Sequence, residues 1–204
     1  MGKGRIVYTR RRNPYHLSVR EPSPKRVASA NELAFLKFDP HHVIGTWRNV
    51  VLAIWVDETT VEAVKEAQYA VHRLSMRFPD GVAFLQILGE DHPSIDAPGR
   101  AALRDLLRAG RELIREAPVV YEGEGFRAAS FRAIFTGLLP QRSFGFPHRV
   151  YSSVEEATLS VARRFEKREP TRFARELCEA LAAVRDRHQS EFPSAPRSFI
   201  RYRG

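Results

Sequence analysis

Cysteine is nearly absent from this 204-residue chain: Cys178 stands alone, so no internal disulfide framework and no cysteine-based metal cage can form. A lone thiol suits a reducing compartment, and a cytoplasmic location is expected. No apolar run approaches the roughly 18–20 residues that a helical membrane span requires. No apolar signal region follows the basic start Met1-Gly2-Lys3-Gly4-Arg5. Also missing are a Gly-Lys-Ser/Thr phosphate loop, a serine nucleophile elbow and a histidine pair at i,i+4 spacing. No catalytic residue, metal site or cofactor is expected from these spacings.

Net charge is scarce in the body of the chain. The formal charge is +9, yet residues 29–189 balance 22 bases against 22 acids. Residues 1–28 carry eight Lys/Arg against Glu21, and residues 190–204 carry Arg197, Arg201 and Arg203 against Glu191. Any pull toward nucleic acid, an anionic surface or an acidic partner therefore comes from the ends, with Arg10, Arg11 and Arg12 foremost. A solvated tail that aids solubility explains the same charge. Pro14, Pro22 and Pro24 argue against a packed element, so residues 1–30 read as a basic Pro/Arg-rich arm, mostly disordered alone. Residues 190–204, with Pro193 and Pro196, read as a basic tail.

What the chain has is a core. A hydrophobic fraction of 43% and an aromatic fraction of 10% belong to one medium globular domain. Leu33–Phe38 is a short apolar run, and Asp39-Pro40 a turn. Val43–Trp47 and Val50–Val56, separated by Arg48-Asn49, predict a hairpin whose second strand is covered on both faces. A helix is expected over Asp57–Phe78, with Thr59 and Glu62 as its capping box and Val61, Val64, Val71, Leu74 and Phe78 inward. Val82–Leu88 follows as a buried strand. A second helix is expected from Asp96 to Ala117, with Leu103, Leu106, Leu107, Leu113 and Ile114 inward and Pro98 in its first turn.

Pro118–Leu139 is the third strand–helix unit: strand Val119-Val120-Tyr121, turn Glu122-Gly123-Glu124-Gly125, and a helix opening at Phe126. A short last strand lies around Arg149–Tyr151. Ser153 and Glu156 cap the next helix, with Val154, Ala157, Val161 and Phe165 inward, and Pro170 ends it. Thr171–Gln189 is one more amphipathic helix, with Phe173, Leu177, Leu181 and Val184 on one side. The order predicts an α/β fold with a largely parallel sheet, an N-terminal hairpin and an extra C-terminal helix.

Several motifs invite chemistry. The turn Glu122–Gly125 lacks the third glycine of a dinucleotide fingerprint, and its glutamates repel phosphate, although Arg127 and the helix N-terminus attract it. Gly123, Gly125 and Arg127 are thus an anion-binding candidate beside the plainer reading, a tight turn. Glu122 and Glu124 are expected to be mobile surface carboxylates. His41-His42, with Asp91 and His92, supplies metal-ligand types without metal-ligand spacing, and a turn is expected. Cys178 is expected to pack inertly. On the third helix Phe126, Ser130, Ala133, Ile134 and Gly137 fall together, and Phe131, Phe135 and Leu139 fall opposite them. That outer patch is covered by the final helix or by the first loop or arm, or else it forms a homodimer or partner interface with Phe173, Leu177 and Leu181.

A resemblance covers roughly residues 33–168. It rests on Trp47-Arg48-Asn49-Val50-Val51 and its strand, Phe78-Pro79-Asp80-Gly81-Val82, Val120–Ala129, and Phe146–Tyr151 leading into Ser153–Ala157. On these the chain resembles the STAS-like family, the anti-anti-sigma-factor fold in its branch overlapping CRAL-TRIO-type domains. The resemblance assigns residues 31–168 to the domain, with residues 169–189 as an additional helix. It implies a layered fold and a non-catalytic, regulatory protein-interaction module. It also implies a serine switch near Ser94, where the family's adjacent hydroxyl and glycine are missing. A second reading is a carrier of a small apolar ligand or lipid, as in CRAL-TRIO-type relatives. A third is a nucleic-acid-associated protein binding through its arm, with Tyr8, Tyr15 and Tyr202 available for stacking.

Overall fold

Two uncharged runs, Val50–Trp55 and Val82–Leu88, occupy the centre of the fold, and every residue in both is buried. Side chains of either parity therefore need cover, and the sheet must be packed on both faces. The computed structural model describes residues 33–89, 92, 95–123, 129 and 144–193.

Seven strands form one sheet: β1 Ala34–Phe38, β2 His42–Trp47, β3 Val50–Trp55, β4 Val82–Leu88, β5 Ile114–Glu116, β6 Val119–Tyr121 and β7 Val150–Tyr151. Their order is β1-β2-β3-β4-β6-β7, with β5 beside the start of β4. The pairs β1–β2 and β2–β3 are antiparallel; β3–β4, β4–β5, β4–β6 and β6–β7 are parallel. Arg48-Asn49 is the predicted two-residue hairpin turn, and Arg48 takes the left-handed backbone such turns favour, with φ +48°. A mixed α/β fold with a mostly parallel sheet is thus established.

Four helices are described: α1 Val61–Ser75, α2 Ala97–Ala109, α3 Val154–Phe165 and α4 Pro170–Glu191. The first two share a core with Trp55, Phe84, Leu88 and Tyr121 on one face of the sheet. The other two share a core with Leu52, Ile54, Leu85, Ile87 and Val120 on the opposite face.

Two boundaries differ from the sequence pattern. The α1 cap is Thr60, whose Oγ1 accepts from the Ala63 amide at 3.2 Å; Thr59 is buried and turned to another partner. The second helix stops at Gly110 rather than Ala117, and Ile114 begins a strand. Gly110 allows the chain to fold back: the Leu113 and Ile114 amides both bond its carbonyl, and a Cβ there would lie 2.5 Å from Ile114 Cδ1. Helical spacing through residue 114 was a coincidence of apolar residues on both sides of a break. Pro118 then separates β5 from β6, since proline has no amide for the ladder.

The largest revision concerns the last helix. Phe173, Leu177 and Leu181, candidates for a partner interface, are core residues within this chain, with Leu177 and Leu181 at 0% exposure. Phe173 packs edge-on to Trp47, ring centroids 5.1 Å apart, and the Arg48 guanidinium lies 4.3 Å from the Trp47 ring and bonds Glu176. The helix is a layer of the fold because, among the described residues, the β3 and β4 side chains beneath it have no other cover of that extent. Phe131, Phe135 and Leu139 lie outside the described residues. Leu177→Ala is expected to lose about 2–5 kcal/mol of stability, as a buried leucine does, measured by urea denaturation; a residue serving only a partner would leave the isolated chain unchanged.

Candidate functional site

Parallel strands end in a common edge, and in α/β folds that carboxyl edge is the usual place for ligand-facing groups. Here Trp55, Leu88 and Tyr121 align across β3, β4 and β6. The next residues continue the row: the Val56 amide bonds the His41 carbonyl, the Gly89 amide the Trp55 carbonyl, and the Glu122 amide the Leu88 carbonyl. Titratable side chains gather around this row.

The β1–β2 turn supplies the first group. Asp39 Oδ1 accepts from the amides of His41 and His42 at 2.9 and 2.8 Å, and Lys37 Nζ lies 2.6 Å from its other oxygen. Burial works against the Asp39 charge, yet the lysine and the two amides hold its pKa at about 2. His41 Nδ1 meets Asp57 at 2.9 Å, and that bond raises the His41 pKa. His42 is buried, which pushes its pKa down despite Asp39. His188 of α4 donates from Nε2 to the Asp39 carbonyl at 2.9 Å. His92 pairs with Thr59, Nε2 to Oγ1 3.2 Å, so the predicted histidine candidates serve different partners. Among the described residues no cluster of three or more His, Cys, Asp or Glu is arranged to hold a metal.

Glu122 supplies the second group. Expected at the surface, it is instead mostly buried and bonds Arg185 of α4, Nη2 to Oε1 2.9 Å, with side-chain exposures of 13% and 5%. Its parity explains the difference: Val120 points to the α3–α4 face, and so does the residue two further on. Burial pushes the Glu122 pKa up to about 7, against the attraction of Arg185. Glu122 Oε2 and Arg185 Nε and Nη1 are buried with no hydrogen-bond partner among the described residues. Arg185 was missed from the sequence, although it sits four residues after Leu181 on an apolar stripe. A charge in that position is the signal of a buried ion pair.

The remaining candidates resolve plainly. Gly123 makes a close approach: a Cβ there would lie 2.5 Å from the Tyr121 ring, so its glycine is required by packing on a buried tyrosine. Gly125, Arg127, Ser94, Asp91, Glu124 and Arg10–Arg12 lie outside the described residues. Cys178 Sγ meets Thr158 Oγ1 at 3.2 Å, and burial raises the thiol pKa. On the opposite side of the molecule α1 turns Glu62, Lys65, Glu66, Gln68, Tyr69, His72, Arg73 and Met76 to solvent. Tyr69 and Met76 are the large apolar side chains exposed there, at 54% and 70%.

The Glu122–Arg185 pair gives a pH signature. A carboxyl whose folded pKa is raised holds a proton that the unfolded chain has released, so its contribution is full below the ordinary value and is lost as pH rises through about 7. His148, depressed to about 4 by burial, acts in the opposite sense, weakening the fold as pH falls below the ordinary histidine range. A comparison with Glu122→Gln isolates the carboxyl: between pH 5 and 8 the wild type should lose on the order of 1–3 kcal/mol relative to the variant. Urea midpoints across that range provide the measurement, and a pH-independent difference would contradict the assignment.

No protein-family model matches this chain, and neither curated proteins nor solved structures give a match.

Proposed function

We infer that this chain is a non-catalytic, STAS-like interaction module and that the outer face of α1 docks its protein partner. The observation that carries the reading is the exposed line Tyr69–Arg73–Met76. Tyr69 and Met76 are seven residues apart, hence two turns along one stripe, and Arg73 stands between them. Tyrosine, arginine and methionine are the residue types that protein interfaces favour over ordinary surface. The opposite side of α1 is locked into the core through Ala63, Val64, Ala67, Ala70, Val71 and Leu74. The exposed stripe is therefore presented on a rigid support, with little ordering left to be done on binding.

Charge narrows the partner. From Tyr69 onward the next acid is Asp80, while His72, Arg73 and Arg77 intervene. A surface with apolar side chains rimmed by carboxylates complements this half of the helix. The basic ends, Arg10–Arg12 included, would add long-range attraction to the same partner. An antiparallel entry followed by parallel strand–helix units supports the resemblance to the STAS-like fold.

A photo-crosslinking residue placed at position 69 or 76, in cells of the native source, should give a discrete adduct absent when it is placed at exposed Arg104 on α2. Excess wild-type chain should abolish the adduct, and a Tyr69→Ala/Met76→Ala chain should compete at least about tenfold less well, the loss of one or two interface anchors. Equal competition by the double variant would refute the docking face.

A further inference from the structure

At the amino-terminal end of β6, away from the carboxyl edge, a cleft of about 260 Å³ opens beside β7 and α3. Its floor is Glu116, 5% exposed and the last residue of β5. Ser160 of α3 donates its hydroxyl to Glu116 Oε1, and the Tyr151 hydroxyl donates to Ser160 Oγ at 2.8 Å. The rim is Arg149, Arg163 and Arg164. All three are exposed, and none forms an ion pair with a carboxylate among the described residues. Three arginines thus line the same cleft as one buried carboxylate, and Arg149 and Arg164 are near enough to favour its charge.

That balance is unusual in a body whose charges otherwise cancel. Arginines used only for solubility have no reason to converge on a concavity. A buried carboxylate needing one counter-ion does not need three. Burial pushes the Glu116 pKa up, while Ser160, Arg164 and Arg149 oppose the shift. The floor is ordered by the Tyr151–Ser160–Glu116 chain, so its acceptor is fixed before any ligand arrives. Planar guanidinium forks match the oxygens of phosphate, and three arriving from separate backbone positions suit a tetrahedral group better than a planar carboxylate.

We propose that this cleft binds a small phosphorylated metabolite bearing a hydroxyl next to its phosphate, with Arg149, Arg163 and Arg164 holding the phosphate and Glu116 accepting from the hydroxyl. The carboxylate is the selective element. It repels a bare anion and rewards one that brings a donor, because an unmatched buried acceptor beside an anion is costly. The volume of about 260 Å³ accommodates a three-carbon phosphate.

Isothermal titration of the full chain at low ionic strength tests the site, with glycerol 3-phosphate, inorganic phosphate and glycerol as probes. Glycerol 3-phosphate should bind more tightly than inorganic phosphate, and glycerol not at all. Arg163→Ala/Arg164→Ala should weaken both phosphates on the order of tenfold or more, the loss of charge-assisted bonds, with an unchanged melting temperature because both side chains are exposed. Glu116→Gln should tighten inorganic phosphate and narrow its gap to glycerol 3-phosphate. No binding of either phosphate at millimolar concentration would overturn the proposal, as would equal weakening by Arg104→Ala. Binding of a single-stranded oligonucleotide that needs Arg163 and Arg164, without binding of the small phosphates, would replace the metabolite by nucleic acid.

Discussion

The fold depends on one constraint: the side chains of β3 and β4 are buried on both faces of the sheet, so apolar cover is required above and below it. On one face α1 and α2 meet the requirement through the ordinary crossovers between parallel strands. On the other, α3 is only 12 residues long, and the 22-residue α4 extends the cover across to the β2–β3 hairpin. Burying Phe173, Leu177, Leu181 and Val184 is worth about 1.5–3 kcal/mol each in transfer terms. The sum is comparable with the whole net stability of a domain, which is why α4 belongs to the fold and not to a detachable appendage.

Polar contacts set where α4 sits. Near its start, Glu176 bonds Arg48, whose guanidinium also lies over Trp47. Nine residues on, Arg185 reaches Glu122 at the end of β6. At 1.5 Å per residue these fastenings are roughly 13 Å apart along the helix. Apolar packing alone tolerates some sliding, whereas a buried ion pair broken on one side leaves a charge without compensation. The pair therefore fixes register more than it adds stability, and its burial is expressed in the raised Glu122 pKa.

Three parts of this frame carry polar or exposed groups beyond what the core requires. The carboxyl edge holds the histidines and the buried pair, and their bonds are mostly to one another, tying β1, β2, β3 and α4 together. The outward side of α1 holds Tyr69 and Met76 exposed on a helix locked into the core. The cleft by β7 gathers cations around a fixed acceptor. The cleft lies on α3 and the exposed stripe on α1, so the two surfaces belong to opposite faces of the sheet.

Local chemistry made much of the architecture legible. The Arg48-Asn49 hairpin, the uninterrupted run Val82–Leu88, the Ser153 cap and the Phe173–Val184 stripe are encoded by turn residues, β-branched runs and 3.6-residue spacing, all of which act over a few positions. Periodicity misled at Leu113 and Ile114, because apolar residues on a helix and on the strand after it can share one spacing. It misled again at Glu122, where sequence shows a charge in a turn and only the strand's parity shows which way it points. Arg185 showed only that a charge stood on an apolar stripe, and Ser160 showed nothing, since their partners lie 63 and 44 residues away along the chain. The sequence by itself determined the order and kind of most of the described elements, β5 excepted. The tertiary structure decided which charges meet, because burial and pairing arise only when strands and helices distant in sequence are brought to one edge of the sheet.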